Sequence, residues 1–219
     1  METDIVVLWV DGNDPLWLAE KKKYSPVAVD DSNADYRFRD NGLLKYWFRS
    51  IEQNLPWVRK IHFVTWGHLP AFLNVNNPKI SIVRHRDYMP PEALPTFNAC
   101  SIEVNLHRIE GLSDRFVFFN DDMYVLRPMN EAKFFSQTGL PTGQFTEIPT
   151  IFKGRAEVWQ MLMANDVGII NEHFVKKNSQ KGYLPTISSL KVKKFKAFYR
   201  SIPHKTEQKG MDIIVSGTE

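Results

Sequence analysis

Cysteine is almost absent from this 219-residue chain: Cys100 stands alone. A single thiol forms neither an internal bridge nor a thiolate metal cage, so a disulfide scaffold is excluded. The expectation for Cys100 is an inert buried thiol in a reducing compartment. Long apolar runs are missing too. The longest, Ile5 to Val10, has six residues, against about 20 for a bilayer span. Asp4 and Asp11 bracket that run and no basic region precedes it, so no secretory signal is readable. The chain also lacks Gly-x-x-x-x-Gly-Lys-Ser/Thr, Gly-x-Gly-x-x-Gly, His-Glu-x-x-His and Gly-x-Ser-x-Gly. Each carries a known chemistry, and none of the four applies here.

What is present suits a folded protein. The chain is 43% hydrophobic, 13% aromatic and 24% charged, which excludes a mainly disordered or collagenous chain. A chain this long has one to two domains and buries roughly 70% of its unfolded surface. The net charge of +3 is unevenly spread. Residues 1–150 hold 16 Lys and Arg against 19 Asp and Glu, whereas 151–219 hold 12 against 6. Within 176–209 there are ten basic residues and one acid, Glu207. The expected division is a folded domain over 1–175 and a basic, poorly structured segment over 176–219. The net acidic body and the lack of a recognition motif argue against nucleic acid as partner.

Ile5–Val10, Ile61–Trp66 and Phe116–Phe119 read as buried strands, with Ile80–Val83 a weaker fourth. Near-continuous apolar strands suggest a sheet covered on both faces. Leu43, Trp47, Ile51 and Leu55 define one helix, capped by Asp40 or Asn41 and stopped by Pro56. A second helix is predicted over Asn98–Glu110 and a third over Arg155–Ile170, with Val158, Met161 and Leu162 inward. This rhythm predicts an α/β fold: an open, mostly parallel sheet with helices on both faces. Ligands of such sheets sit at the carboxyl ends of the strands, here after Val10, Trp66 and Phe119.

After the first strand come Asp11-Gly12-Asn13-Asp14-Pro15. Asp11 and Asp14 are hard oxygen ligands or hydroxyl acceptors; the alternative is an Asx turn that caps the helix at 15–23. After the last strand come Asn120-Asp121-Asp122. Adjacent carboxylates repel, and a Mg²⁺ or Mn²⁺ carrying a diphosphate is the usual compensation. The alternative is a solvated acidic turn. On the predicted 98–110 helix, Glu103, His107 and Glu110 share one face. That face suits a catalytic carboxylate oriented by an imidazole, or equally a wet surface. Arg37, Arg39, Arg49, Arg84, His85 and Arg86 supply cations for phosphate oxygens, or ordinary surface charge.

These motifs together resemble the Stealth proteins. Those are bacterial capsular or exopolysaccharide phosphotransferases, related to the animal GlcNAc-1-phosphotransferase of lysosomal-enzyme tagging. A first conserved region is similar to Asp4 through Asp14. A second, longer one is similar to Arg37-Phe-Arg39-Asp40-Asn41 through Arg49, then Pro56-Trp57-Val-Arg59, Phe63-Val-Thr65-Trp-Gly67, Leu94-Pro95-Thr96-Phe97-Asn98, Ile102-Glu103, His107 through Glu110, and Asn120-Asp121-Asp122. The resemblance covers roughly 4–130. It implies a nucleotide-sugar-transferase-like sheet and transfer of a sugar-1-phosphate from a UDP-sugar to a glycan hydroxyl, releasing UMP. It also implies that Glu103 and Asp122 are required.

The resemblance further implies a third and a fourth region, supplying another His and an Arg. Only Pro203-His204 resembles the third and nothing resembles the fourth, so a truncated member or one needing a partner chain is expected. On this basis Glu103, Asp122 and His107 are the expected catalytic residues. Asp121 and Asp122 are expected to hold the metal. Asp11, Asn13, Asp14, Arg39, Asp40 and Asn41 are expected to hold the nucleotide. The expected partners are the UDP-sugar and a polysaccharide acceptor, in the cytoplasm. Phe195, Phe198 and Tyr199 among the tail lysines suggest a peripheral contact with anionic membrane; the alternative is a solvated remnant of an acceptor region. The rival readings are an ordinary glycosyltransferase and an inactive fragment or basic-tail binding module.

Overall fold

The computed structural model describes residues 2–24 and 35–143, and five further positions between 161 and 169. Four strands form one sheet: β1 (Thr3–Trp9), β2 (Val58–Thr65), β3 (Ile80–Arg84) and β4 (Arg115–Phe119). Their order is β3-β2-β1-β4 and every pair is parallel. All four expected strands therefore exist, including the weak one at 80–83.

Because side chains alternate along a strand, the sheet feeds two cores. Ile5, Val7, Trp9, Phe63, Val117 and Phe119 point to one face. Val6, Val64, Val83, Phe116 and Phe118 point to the other. Helix α2 (Leu44–Asn54) covers the first face, burying Leu44, Trp47 and Ile51, one every three or four residues. The 123–135 segment returns to its C-terminal end, where Met129 N–H donates to the Asn54 carbonyl at 3.0 Å and Trp57 Nε1–H to the Met129 carbonyl at 2.7 Å. The second face is covered by Tyr88, the last residue of the short helix α3 (His85–Tyr88), and by Met89, Ile102, Leu106, Ile109 and Leu112. Helix α1 (Pro15–Tyr24) is pinned by Trp17, whose ring lies 5.1 Å from Phe38 and 5.7 Å from Phe97.

Several local expectations fail. The 98–110 helix is broken: α4 (Ala99–Glu103) is a short turn capped by Asn98, and a separate 3-10 turn spans Leu106–Arg108. Between them Asn105 Nδ2 donates to the Ser101 carbonyl at 2.9 Å. Glu103, His107 and Glu110 thus do not line one helix face. The cap of α2 is Leu43, with no side-chain hydrogen bond; Asp40 instead accepts the Gly42 N–H at 2.7 Å. Cys100, expected buried, is exposed on the first turn of α4. Met161, expected inward, is also exposed, and most of the 155–170 helix lies outside the described residues, as does the whole 176–219 tail.

Candidate active site

A parallel sheet delivers all its strand ends to one edge. From β1 the chain climbs outward to β2 and β3, then returns past β1 to β4. The order reverses between β1 and β4, and a crevice opens at such a switch point. Pairing there ends at Val7↔Phe119, so the Asp11–Asp14 loop and Asn120-Asp121-Asp122 leave the sheet side by side.

The β1 loop is built by its own acids. Asp11 Oδ1 accepts the Asn13 N–H at 2.9 Å. Asp14 Oδ1 accepts the Leu16 and Trp17 N–H groups at 2.8 and 2.9 Å, opening α1. The Asx-turn reading is therefore what one oxygen of each acid does. The Trp17 hydrogen bond leads the causes that hold the Asp14 carboxyl below its ordinary range. Over this loop runs the 35–41 chain. A Cβ at Gly12 would collide with the Phe38 carbonyl oxygen, so only glycine admits the approach. Gly12→Ala is expected to cost about 1–3 kcal/mol by overpacking and to loosen the 35–41 segment. Thermal unfolding of the variant checks this, and a wild-type midpoint would show that the backbones do not meet there.

That approach brings Asp40 toward the acid pair. The Asp121 carboxyl is pushed up to about 6, first by burial, then by the charges of Asp122 and Asp40. Its surface is open to water, yet protein crowds around it closely enough for desolvation to lead. Burial, followed by these same three acids, also raises the Tyr124 phenol. The edge therefore gathers the negative charge of Asp40, Asp121 and Asp122. Among the described residues no three His, Cys, Asp or Glu side chains form a ready metal cluster. Two adjacent carboxylates with water and phosphate oxygens nonetheless fit Mg²⁺, which keeps several waters and takes few protein ligands.

His68, absent from the sequence expectations, closes the other side. Its Nε2 accepts the Asp11 N–H at 2.8 Å, which places the ring proton on Nδ1, 3.5 Å from Asp14 Oδ2. Burial lowers its pKa against the pull of Asp14 and Asp11, so the neutral ring persists. His85, after β3, is held at about 4 by burial and then by His68. The signal for His68 was its place two residues after the second buried strand.

Glu103 lies elsewhere along the edge. It ends α4 and shares an electrostatic neighbourhood with Tyr88, one turn past β3; burial raises its carboxyl. The β3 and β4 ends are three strand spacings apart, about 14 Å. Arg39 and Asn41 are exposed on the segment that crosses Gly12, and Arg49 faces a groove on α2 instead of this edge.

Family comparison then decides the matter. The description Stealth protein CR1, conserved region 1, matches residues 3–26, and Stealth protein CR2, conserved region 2, matches 37–142. A Streptococcus thermophilus protein named capsular polysaccharide phosphotransferase CpsJ is 42% identical over 182 residues, 80% of this chain and 74% of its own. The chain belongs to the Stealth family. The exopolysaccharide phosphotransferase cps2G of Lactiplantibacillus plantarum is 41% identical over 80% of this chain, but that is 50% of its own length. The receptor polysaccharide phosphotransferase WefC of Streptococcus oralis is 44% identical over 78% of this chain and 52% of its own. The chain thus spans about half the length of some Stealth relatives and about three-quarters of others. Membership places it among enzymes that transfer phosphorus-containing groups. The Stealth regions contain all four described strands, and their loops supply the acid edge.

Proposed function

We propose that the chain moves a hexose-1-phosphate from a UDP-sugar to a hydroxyl of a growing capsular or exopolysaccharide and releases UMP. The observation that carries this reading is the acid pair beside the Asp11 loop and Asp40, at the switch point of a parallel sheet. The acceptor oxygen attacks the sugar-bearing phosphorus. Its bond to the oxygen bridging the two phosphates breaks, and UMP leaves with that oxygen. Glu103, made a stronger base by burial, stands toward the β3 end and not beside the acid pair, so its part is on the acceptor side, where it draws the hydroxyl proton away through bound water. The broken helix removes the reason for His107 to orient Glu103, so His107 is given no step.

Asp121 and Asp122 would hold Mg²⁺ or Mn²⁺, which when bound would supply positive charge to the diphosphate. Asp11, Asn13 and Asp14 present the nucleotide-facing loop, with His68 holding its backbone, and Arg39, Asp40 and Asn41 complete the wall. No described helix is long and apolar enough to cross a membrane. The reading places the enzyme in the cytoplasm, with the basic 176–209 stretch against the anionic membrane surface.

Incubating the intact chain with UDP-sugars, Mg²⁺ and glycan acceptor, and separating the nucleotides, tests it. UMP that appears only with acceptor and disappears with a chelator is the expected outcome. UDP instead would assign an ordinary glycosyl transfer.

A further inference from the structure

A second concavity lies outside the strand-end edge. A groove of about 420 Å³ runs between α2 and the chain that enters β3, and no residue of the acid edge lines it. Its size is within the range of about 300–1,000 Å³ typical of small-molecule sites. It exists because α2 does not reach the sheet's outer corner. Ile80 and Ile82 of the edge strand β3 are only partly covered, although they belong to the α2 core. The 69–79 loop makes the far lip. There Phe72 keeps 48% of its surface exposed, with its ring 6.2 Å from Phe48.

The floor and the rim differ in chemistry. Ile51, Leu55, Ile61 and Ile80 make an apolar floor. Lys45 and Arg49, one turn apart on α2, and Lys79 across from them put three cations on the rim against one acid, Glu52. None of the three cations makes an ion pair within the described residues. Lys45 and Arg49 instead lie over the Tyr46 ring, 5.1 and 5.7 Å from its centre. An apolar trough bordered by cations that have no carboxylate partner among the described residues complements a ligand with a hydrocarbon chain and an anionic head.

We propose that this groove binds a single-chain amphiphile with a phosphate head, the chain along the floor and the head between Lys45, Arg49 and Lys79. The site is separate from the donor edge and does not depend on the reading given to that edge.

Calorimetry on the intact chain tests it with three probes: dodecyl phosphate below its critical micelle concentration, dodecyl maltoside, and inorganic phosphate. Dodecyl phosphate is expected to bind at least tenfold more tightly than dodecyl maltoside, with no saturation by inorganic phosphate in that range. The double variant R49E/K79E is expected to weaken dodecyl phosphate at least tenfold and leave dodecyl maltoside unchanged, while F72S weakens both. All three changes are at exposed positions, and unchanged melting shows that the fold is kept. Equal affinity for both amphiphiles, equally tight inorganic phosphate, indifference to charge reversal, or binding only above the micelle threshold would each overturn the proposal. So would displacement of dodecyl phosphate by a UDP-sugar, because the two sites would then be one. Absence of UMP release alongside intact amphiphile binding would count against the donor site only.

Discussion

Asp122→Asn is expected to cripple transfer from the UDP-sugar while the protein stays folded. The change keeps shape and removes one negative charge from an edge where charge is the functional quantity. Losing a principal electrostatic stabiliser of a transition state costs on the order of 10²–10³ in rate, so turnover should fall by at least that much. The Asp122 side chain is exposed and anchors none of the core, so stability should move by less than about 1 kcal/mol. Asp121→Asn sharpens the contrast. With its folded pKa raised to about 6 from 3.8, Asp121 contributes stability below about 3.8 that is lost as pH rises through about 6. At pH 7.5 the Asn variant should therefore melt no lower than wild type, yet lose activity. Melting curves beside rates decide the point. Parallel loss of both would mean that the acids hold the fold, and unchanged rates would remove them from the site.

At the opposite edge, Asp4→Ala should have the reverse profile, with a large loss of stability. Asp4 is fully buried and accepts hydrogen bonds from Arg59 Nε at 2.8 Å, from His62 Nε2 at 3.1 Å and from the Ser113 N–H at 2.8 Å. Burial pushes the carboxyl up, but the hydrogen bonds from His62, Arg59 and Ser113 outweigh it and hold it at about 2. Removing the carboxylate strands these donors where β1, β2 and the entry to β4 meet. Breaking a buried pair from one side costs about 3–5 kcal/mol, a fall in midpoint of roughly 10 °C for a chain of this size. The pH sign is opposite to that of Asp121. A folded pKa below the unfolded 3.8 gives stability that is present above about 3.8 and lost as pH falls through about 2. The shift corresponds to about 2 kcal/mol at neutrality. Chemical denaturation of wild type and variant at pH 7 and pH 3 measures both numbers. A variant as stable as wild type would reduce the cluster to a surface ion pair.

The strands were legible because each is a short apolar run with a turn at its end, and Ile5–Val10 and Phe116–Phe119 admit no other placement. Of the α2 stripe Leu43, Trp47, Ile51 and Leu55, the last three were legible from their period and are buried, whereas Leu43 is the exposed cap and its neighbour Leu44 takes the inward place. The helix at 98–110 was not, because Ile102, Leu106 and Ile109 keep a helical period while the backbone breaks between α4 and the 3-10 turn. A side chain such as Asn105, which bonds to local backbone, decides such breaks. The acid pair was legible by position alone. His68 was not, since a lone histidine carries no motif, and its role arises from the Asp11 N–H that the fold brings to its ring. The Asp4 cluster was equally hidden, its partners being 55 to 109 residues away in sequence.

The most direct measurement follows the phosphorus itself. A UDP-sugar carrying ³²P only at the sugar-bearing phosphate is incubated with the intact chain, Mg²⁺ and acceptor glycan, and polymer is separated from nucleotide. Transfer of a sugar-1-phosphate leaves label in the polymer, held there as a phosphodiester, and unlabelled UMP in solution. Label that remains with the nucleotide while sugar enters the polymer would contradict it.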